Sequence, residues 1–308
     1  MSQHGLPDLL AGFPAFPAGP DALVVAAPAK LNLFLEILRK RADGYHDLES
    51  LMLAIDLYDT LEVRLAPTPD ITLVCNDPML PTGPENLVVK SAVALREHAG
   101  RPELGAAIML TKRIPSQAGL AGGSSDAAAT LLALNQIWKL GMTRAGLAAI
   151  AASIGSDVTF FLTPPAGWCT SRGEVVVAEP VGRTLDFVLV CPPVGLATAA
   201  VYRRLRVPAK PVSGAGIRLA LREGDGEGIG RAVFNRLEEP AFDLSPVVQR
   251  IRRRLGGLAP WGALMSGSGS AVFALCRDRM QAMRIAEEFR ERRPAMEPES
   301  RVLVVRSS

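Results

Sequence analysis

Histidine and cysteine are scarce in this chain of 308 residues, with three of one and four of the other. Cys75, Cys169, Cys191 and Cys276 are widely spaced and form no CxxC pair. That weighs against a zinc site or a redox disulfide and leaves buried free thiols as the expectation. His4 sits in a Pro- and Gly-rich opening and His98 follows a charged helix end, so only His46 is placed for function. A lone histidine excludes a zinc metalloprotease pair and weighs against a Ser-His-Asp triad. No apolar run approaches the roughly 18 residues of a membrane span. The opening residues also lack a basic start followed by an apolar core, so the expectation is a cytoplasmic protein with no membrane partner. Charge of one sign is lacking too, the formal net charge being +3, which gives no electrostatic case for nucleic acid. The basic run QRIRRRL at 249–255 reads as the solvated face of an amphipathic helix with Val247, Ile251 and Leu255 on its apolar side.

Two common phosphate-binding signatures are missing as well. A Walker A loop needs Gly-Lys followed by Ser or Thr, and Ser124 stands where the lysine should be. No window satisfies G-x-G-x-x-G, so the dinucleotide motif is absent. What is there is IPSQAGLAGGSSD at 114–126, running straight into an alanine-rich helical stretch. Ser124, Ser125 or Asp126 can each cap a helix, which is the plain alternative. A cap alone does not need Gly119, Gly122 and Gly123 so close together. These glycines predict a backbone at positive φ with uncovered N–H groups, and the helix adds its N-terminal partial charge at the same point. That combination points to phosphate binding. The phosphate charge must then be met by N–H dipoles, hydroxyls, a metal ion or a lysine from elsewhere.

With 48% hydrophobic and 21% charged residues, the chain is globular and long enough for two domains. Residues 22–38 alternate as a strand that puts Lys30, Asn32, Phe34 and Glu36 on one face, so Lys30 and Asn32 point the same way. Further strands are predicted at 48–57, 60–65, 71–75 and 105–113, and helices at 86–100, 124–139 and 143–154. A second set of strands and helices begins near 186 and ends with RVLVVRS. The predicted organisation is a flexible N-terminal extension over 1–22, a first domain over 23–182 and a second over 183–308.

Three short stretches carry open alternatives. Asp157, after a Gly-Ser break, either caps the next turn or faces a cleft. RADGYHDLES at 41–50 turns at Asp43-Gly44 and presents Tyr45 and His46 side by side, as plain loop residues or as a stacking ring and a hydrogen-bonding imidazole. MSGSGS at 265–270 is either a hairpin turn or a second N–H-rich wall built on Gly267 and Gly269.

Taken in order, PAKLNLFLEILRKRADGYHDLES, ENLVVKSA, TKRIPSQAGLAGGSSDAAATLLALN, IGSDVTFFL, FNRLE and MSGSGSAVF resemble the GHMP kinase superfamily over roughly residues 24–276. PAKLNL followed by RADGYH is similar to members whose acceptor is a methylerythritol linked to cytidine diphosphate. The resemblance implies an α+β, two-domain GHMP kinase fold, with the phosphate loop and active site in the cleft between the domains. It implies ATP with Mg²⁺ as cofactors, and transfer to the tertiary hydroxyl of that acceptor.

Lys30 and Asp157 match the family's catalytic lysine and aspartate. The implied nucleotide positions are Asn86 and Lys112 near the adenine, and Pro115, Ser116, Gln117, Ala118, Gly119, Leu120, Ala121, Gly122, Gly123, Ser124 and Ser125 along the triphosphate. The implied acceptor positions are Asn32, Tyr45, His46, Thr198, Tyr202, Gly267, Ser268 and Gly269. Partners are then small molecules, with no nucleic acid and no membrane, in a monomer or homodimer. A kinase of another small alcohol, or a non-catalytic nucleotide-binding protein on the same fold, remain the alternatives. Two departures stand out: Thr159 replaces the family's proline after Asp157-Val158, and Ser171-Arg172-Gly173-Glu174 replaces a more glycine-rich turn after Trp168.

Overall fold

The alternating stretch at 22–38 forms one long strand in the computed structural model, which describes residues 10, 12–163, 165–295 and 297–308. In chain order the strands are β1 (Ala15–Pro17), β2 (Ala22–Lys40), β3 (His46–Ala66), β4 (Ile71–Cys75), β5 (Gly105–Thr111), β6 (Ala166–Thr170), β7 (Val175–Ala178), β8 (Asp186–Cys191), β9 (Phe234–Asn235), β10 (Gly262–Met265), β11 (Val272–Cys276) and β12 (Arg301–Arg306). The predicted strands at 48–57 and 60–65 are a single strand, β3, because no Gly or Pro interrupts the alternation between them.

Compactness does not follow one cut in the sequence. One unit gathers the chain through Ala29, Leu57–Ile114 and Ala121–Pro164; the other gathers Lys30–Asp56, Pro115–Leu120 and Pro165–Ser308. Residues 30–56 and 115–120, expected in the first domain, therefore cluster with the C-terminal half. The physical reason is the length of β2 and β3, each of which runs through both units.

In the first unit the strand order is β1-β2-β3-β5-β4. Helix α1 (Leu87–Ala99) links β4 to β5, which pair in parallel. Helices α2 (Gly122–Ile137), α3 (Arg144–Ile154) and α4 (Val158–Phe161) follow. Nearly every residue of α2 is buried, Ala127 through Asn135 without exception. Its small alanines let neighbours pack close, which explains a helix with no polar face.

The N-terminal extension departs from expectation where it is described. Phe13 is buried and β1 pairs antiparallel with β2, Ala15 opposite Val25, so an aromatic anchor and a short ladder hold residues that composition alone reads as loose. His4 and the rest of 1–9 lie outside the described residues.

In the second unit β6 pairs with β3 and β7, while β9 pairs in parallel with β2. A separate antiparallel sheet has the order β10-β11-β8-β12. Helices α5 (Thr198–Arg204), α6 (Ala215–Glu223), α7 (Gly226–Ala232), α8 (Glu238–Leu244), α9 (Pro246–Gly256) and α10 (Arg279–Glu291) complete it. A core of Val188, Val190, Ile251, Leu255, Ile285 and Phe289 packs α9 and α10 on that sheet. Glu36, fully buried on β2, is met by a two-pronged Arg236 at 2.8 and 2.7 Å. Burial pushes its carboxyl up, but Arg236 and the N–H groups of Val212 and Ile37 outweigh that and hold its pKa below the usual range.

Cys169, Cys191 and Cys276 are buried as expected, and burial pushes the last two thiols up to about 12; Cys75 is half-buried instead. No helix among the described residues is long and apolar enough to cross a membrane.

Candidate active site

Strand alternation brings Lys30 and Asn32 together as predicted. Lys30 Nζ donates to Asn32 Oδ1 at 2.5 Å and to the Gly119 carbonyl at 2.7 Å. The backbone N–H of Lys30 also donates to Leu120 O, so β2 is bonded to the start of the glycine bend. Asn32 Nδ2 donates to Ser50 Oγ at 2.8 Å, and the Asn32 N–H donates to Ser266 Oγ at 3.2 Å. Ser266 Oγ in turn donates to Gly119 O at 3.0 Å. One carbonyl therefore accepts both an ammonium and a hydroxyl.

The 265–270 bend is the connection of the antiparallel β10–β11 hairpin, Met265 opposite Val272, and is also brought to this cluster, so the two alternatives for this stretch hold together. A Cβ on Gly267, at φ +54°, would stand 3.2 Å from both Lys30 Nζ and Asn32 Oδ1. Asn235 Nδ2 fixes the bend by donating to Met265 O at 2.7 Å and Gly267 O at 2.8 Å. Thr198 Oγ1 and Ser268 Oγ share a hydrogen bond at 2.9 Å, so these two expected acceptor positions lie together. Asn235, Ser50 and Ser266 were not singled out by sequence. FNRLE among the family-like blocks was the one available signal, for Asn235.

The glycine bend differs from the sequence expectation in one respect. Positive φ falls on Gln117 (52°), Gly119 (75°) and Ala121 (55°), while Gly122 and Gly123 already open helix α2. Gly122 is small for a packing reason, since a Cβ there would meet Ile114 at 3.0 Å and Lys112 Nζ at 3.1 Å. The plain capping alternative fails: the N-cap position is Ala121, with no side-chain cap. Ser125 Oγ and Asp126 Oδ1, both buried, have no hydrogen-bond partner. The first N–H groups of α2 thus meet no capping side chain of their own helix.

Lys112 and Asn86 are committed to protein partners. Lys112 Nζ is paired with Asp59, and with Asp126 Oδ2 at 2.7 Å. Burial pulls the ammonium down, but the two carboxylates outweigh it and its pKa rises. Asn86 caps α1, accepting from Val88 N at 2.9 Å, and donates to Pro81 O at 2.6 Å. Asp157 precedes α4 in the cap position yet makes no capping hydrogen bond. Thr159 lies inside that turn, its Oγ1 buried and without a partner.

The RADGYH turn is built by Asp43, whose Oδ1 accepts from Tyr45 N at 3.1 Å, with Gly44 at φ +86°. His46 packs against Tyr202, ring centres 5.3 Å apart and tilted by 40°. Burial, with the charge of Lys40, holds the His46 pKa below its usual value, which keeps the ring neutral at pH 7. Tyr45 is 55% exposed and lies under the Arg172 guanidinium at 5.0 Å. The Ser171–Glu174 departure is a closed turn: Glu174 accepts from Arg172 N at 2.8 Å and Ser171 Oγ at 3.1 Å.

The chain has counterparts among known proteins. Family models described as GHMP kinases N terminal domain and GHMP kinases C terminal match residues 86–163 and 217–295. A 4-diphosphocytidyl-2-C-methyl-D-erythritol kinase of Pelotomaculum thermopropionicum is 41% identical over 271 residues, covering 87% of this chain and 94% of that protein. One of Shouchella clausii is 38% identical, covering 86% and 90%. A crystal structure of 4-(cytidine 5'-diphospho)-2C-methyl-D-erythritol kinase superposes with a TM-score of 0.75 at 34% identity, over 92% of this chain and 99% of that one. A homoserine kinase from Cytophaga hutchinsonii shares the fold, with a TM-score of 0.77 at 23% identity. On these matches the chain belongs to the 4-diphosphocytidyl-2-C-methyl-D-erythritol kinase family of the GHMP kinases.

Proposed function

We propose that the chain transfers the γ-phosphoryl group of ATP to the 2-hydroxyl of 4-diphosphocytidyl-2-C-methyl-D-erythritol, giving the 2-phosphate and ADP. This is a step of the non-mevalonate route to isoprenoid precursors. The observation that carries the assignment is Lys30 held on Asn32 and on the Gly119 carbonyl, because phosphoryl transfer asks mainly for fixed charge and fixed geometry. Lys30 offers a fixed positive charge to the oxygens of the phosphoryl group in flight. Asp157 takes the hydroxyl proton as the new O–P bond forms and the bond to the β-phosphate oxygen breaks. The triphosphate lies along Gly119 to Ser125, on the uncapped start of α2.

Cytosine is read at the RADGYH turn. Tyr45 supplies a stacking face, and neutral His46, backed by Tyr202, meets the base edge. Among the described residues no group of three or more His, Cys, Asp or Glu side chains forms a metal cage. Mg²⁺ that travels on nucleotide phosphates and keeps its waters needs none. The buried, unpartnered Ser125 Oγ is the oxygen that fits such an ion. Bound there, Mg²⁺ would neutralise charge on the phosphates.

A coupled ADP-release assay tests the assignment. Turnover with 4-diphosphocytidyl-2-C-methyl-D-erythritol and none with mevalonate or homoserine is expected. The reverse preference would move the chain to another alcohol, and no turnover with any of them would favour a non-catalytic binding protein.

A further inference from the structure

The turn at 171–174, which departs from the family-like pattern, lies beside the RADGYH turn because the strands that carry the two are neighbours. The first joins β6 to β7, the second joins β2 to β3, and β6 pairs with β3, Ser50 opposite Cys169. Ser171 stands at φ +63°, a conformation that glycine takes without strain. Its hydrogen bonds offset that cost. Ser171 Oγ accepts from Arg41 Nη1 at 3.2 Å and donates to Glu174 Oε1 at 3.1 Å, while its carbonyl accepts from Leu48 N at 2.8 Å.

These bonds make one frame of the two turns. Arg41 also donates to Asp47 Oδ1 at 2.8 Å and to Asp43 Oδ2 at 3.0 Å, and Asp43 Oδ1 accepts from the N–H of Tyr45. From the other turn Glu174 holds Arg172, accepting from its Nε at 3.3 Å and from its N–H at 2.8 Å. The Arg172 guanidinium lies over the Tyr45 ring, 5.0 Å from its centre, where the negative ring face attracts a cation. Tyr45 is 55% exposed. Since Arg172 covers one face, that exposure belongs to the opposite face and the rim.

We propose that Arg172 is a positioning residue for the cytidine end of the acceptor: it backs one face of Tyr45 and holds the other ready for the base. The inference rests on the reading of Tyr45 as a stacking ring. An exposed tyrosine on a turn can change rotamer, and ordering it on binding costs affinity. A ring held by a tethered cation has lost that freedom before the substrate arrives. Arginine suits the role because its planar guanidinium stacks on a ring face while an N–H at its edge stays on a carboxylate. The role needs no contact between Arg172 and the substrate.

The test is calorimetry on the full chain with 4-diphosphocytidyl-2-C-methyl-D-erythritol, for wild type, Arg172→Gln, Tyr45→Ala and the double variant. Arg172→Gln should raise Kd about two- to fivefold, the scale of an exposed cation–π contact. In turnover the loss should fall on KM rather than kcat. Glu174 keeps its bonds to Ser171 Oγ and to the backbone N–H at position 172, so the melting curve should stay with the wild type. In the Tyr45→Ala background the same substitution should have no further effect. An unchanged Kd in Arg172→Gln overturns the proposal. So does an equal loss with and without Tyr45, which would place Arg172 on the substrate or in the shape of the turn. If the wild type does not bind this compound, the cytidine reading itself falls. Fluorine NMR of the fluorotyrosine-labelled chain without substrate separates the two failures. The chain has three tyrosines, and the line of Tyr45 should move in Arg172→Gln; if no line moves, Arg172 does not hold the ring.

Discussion

Lys30 Nζ lies 2.7 Å from the carbonyl oxygen of Gly119, a residue 89 positions further along the chain. The same oxygen accepts from Ser266 Oγ, so strand β2, the glycine bend and the 265–270 bend are locked through one backbone atom. The lock gives Lys30 a fixed position before any substrate arrives. A preorganised charge costs no reorganisation at the moment of reaction.

Lys30→Met removes the charge while nearly keeping the volume. Turnover should fall by about 10²-fold or more, the scale of losing one positioned electrostatic group. Ser266 still bonds Gly119 O, so the bend should hold and affinity for an ATP analogue should change much less than kcat. Loss of analogue binding in step with kcat would make Lys30 a structural residue.

Asp157→Asn isolates the proposed base. Asparagine keeps the size of the side chain and one carbonyl acceptor while removing the base, so kcat should drop by about 10²-fold with a much smaller change in the melting curve. Turnover within threefold of wild type would return Asp157 to a loop role.

The two glycines Gly119 and Gly123 should part company. At Gly119, φ is +75° and an added Cβ would stand 2.0 Å from Ser266 O; Gly119→Ala should lower stability by at least about 1–3 kcal/mol. At Gly123 the nearest atom would be 3.6 Å away, so Gly123→Ala should fold normally and weaken only nucleotide binding. Urea melts paired with analogue titrations separate the two. Equal stability losses would remove the distinction.

These positions also mark what the sequence makes legible. Lys30 beside Asn32 follows from strand alternation alone, and the bend running into an alanine-rich helix is visible as a string. Which residues carry positive φ is not, because Gln117 and Ala121 take that region although neither is a residue type that marks it. Asn235 holding Met265 O and Gly267 O joins residues 30 or more positions apart, and Ser266 meets Asn32 across 234. No local propensity encodes such pairs. Arg254 misleads for the same reason: its helix face reads as solvated, yet its guanidinium pairs with the buried Glu297 and donates to Phe289 O, 43 and 35 positions further on.

The triad Asp59, Lys112 and Asp126 should set part of the pH dependence of stability. Burial pushes the Asp126 carboxyl up to about 7 against the pull of Lys112, with Asp59 adding to the rise. A folded pKa above the unfolded one means the native state holds the extra proton between about 4 and 7. This contribution is full below that window and lost as pH rises through it. Asp126→Asn should therefore gain stability relative to wild type between pH 4 and 8 in urea melts. Lys112→Met strands both carboxylates and should cost about 3–5 kcal/mol at pH 7. A flat difference across pH would separate Asp126 from the effect.

The proposed reader of cytidine, His46, is half-buried against Tyr202 with ring centres 5.3 Å apart. A neutral imidazole has one acceptor and one donor, which suits a cytosine edge carrying an amino group beside ring acceptors. Losing a buried hydrogen-bonding partner costs about 1–3 kcal/mol, so His46→Ala should lower kcat/KM for the cytidylyl substrate by roughly 5- to 150-fold. The KM for ATP should barely move. A uridine analogue reverses donor and acceptor at two edge positions and should be rejected by about 10²-fold in the wild type, with that ratio shrinking in His46→Ala. The pH profile gives a second readout. Because the folded pKa of His46 is held low by burial, the ring stays neutral through pH 7 and gains its proton only on the acid side. The cation has no acceptor left, so kcat/KM for the cytidylyl substrate should fall there. His46→Gln, which cannot titrate, should lose that acid limb. Identical cytidine-to-uridine ratios in wild type and His46→Ala would assign base selection to backbone groups of the RADGYH turn instead.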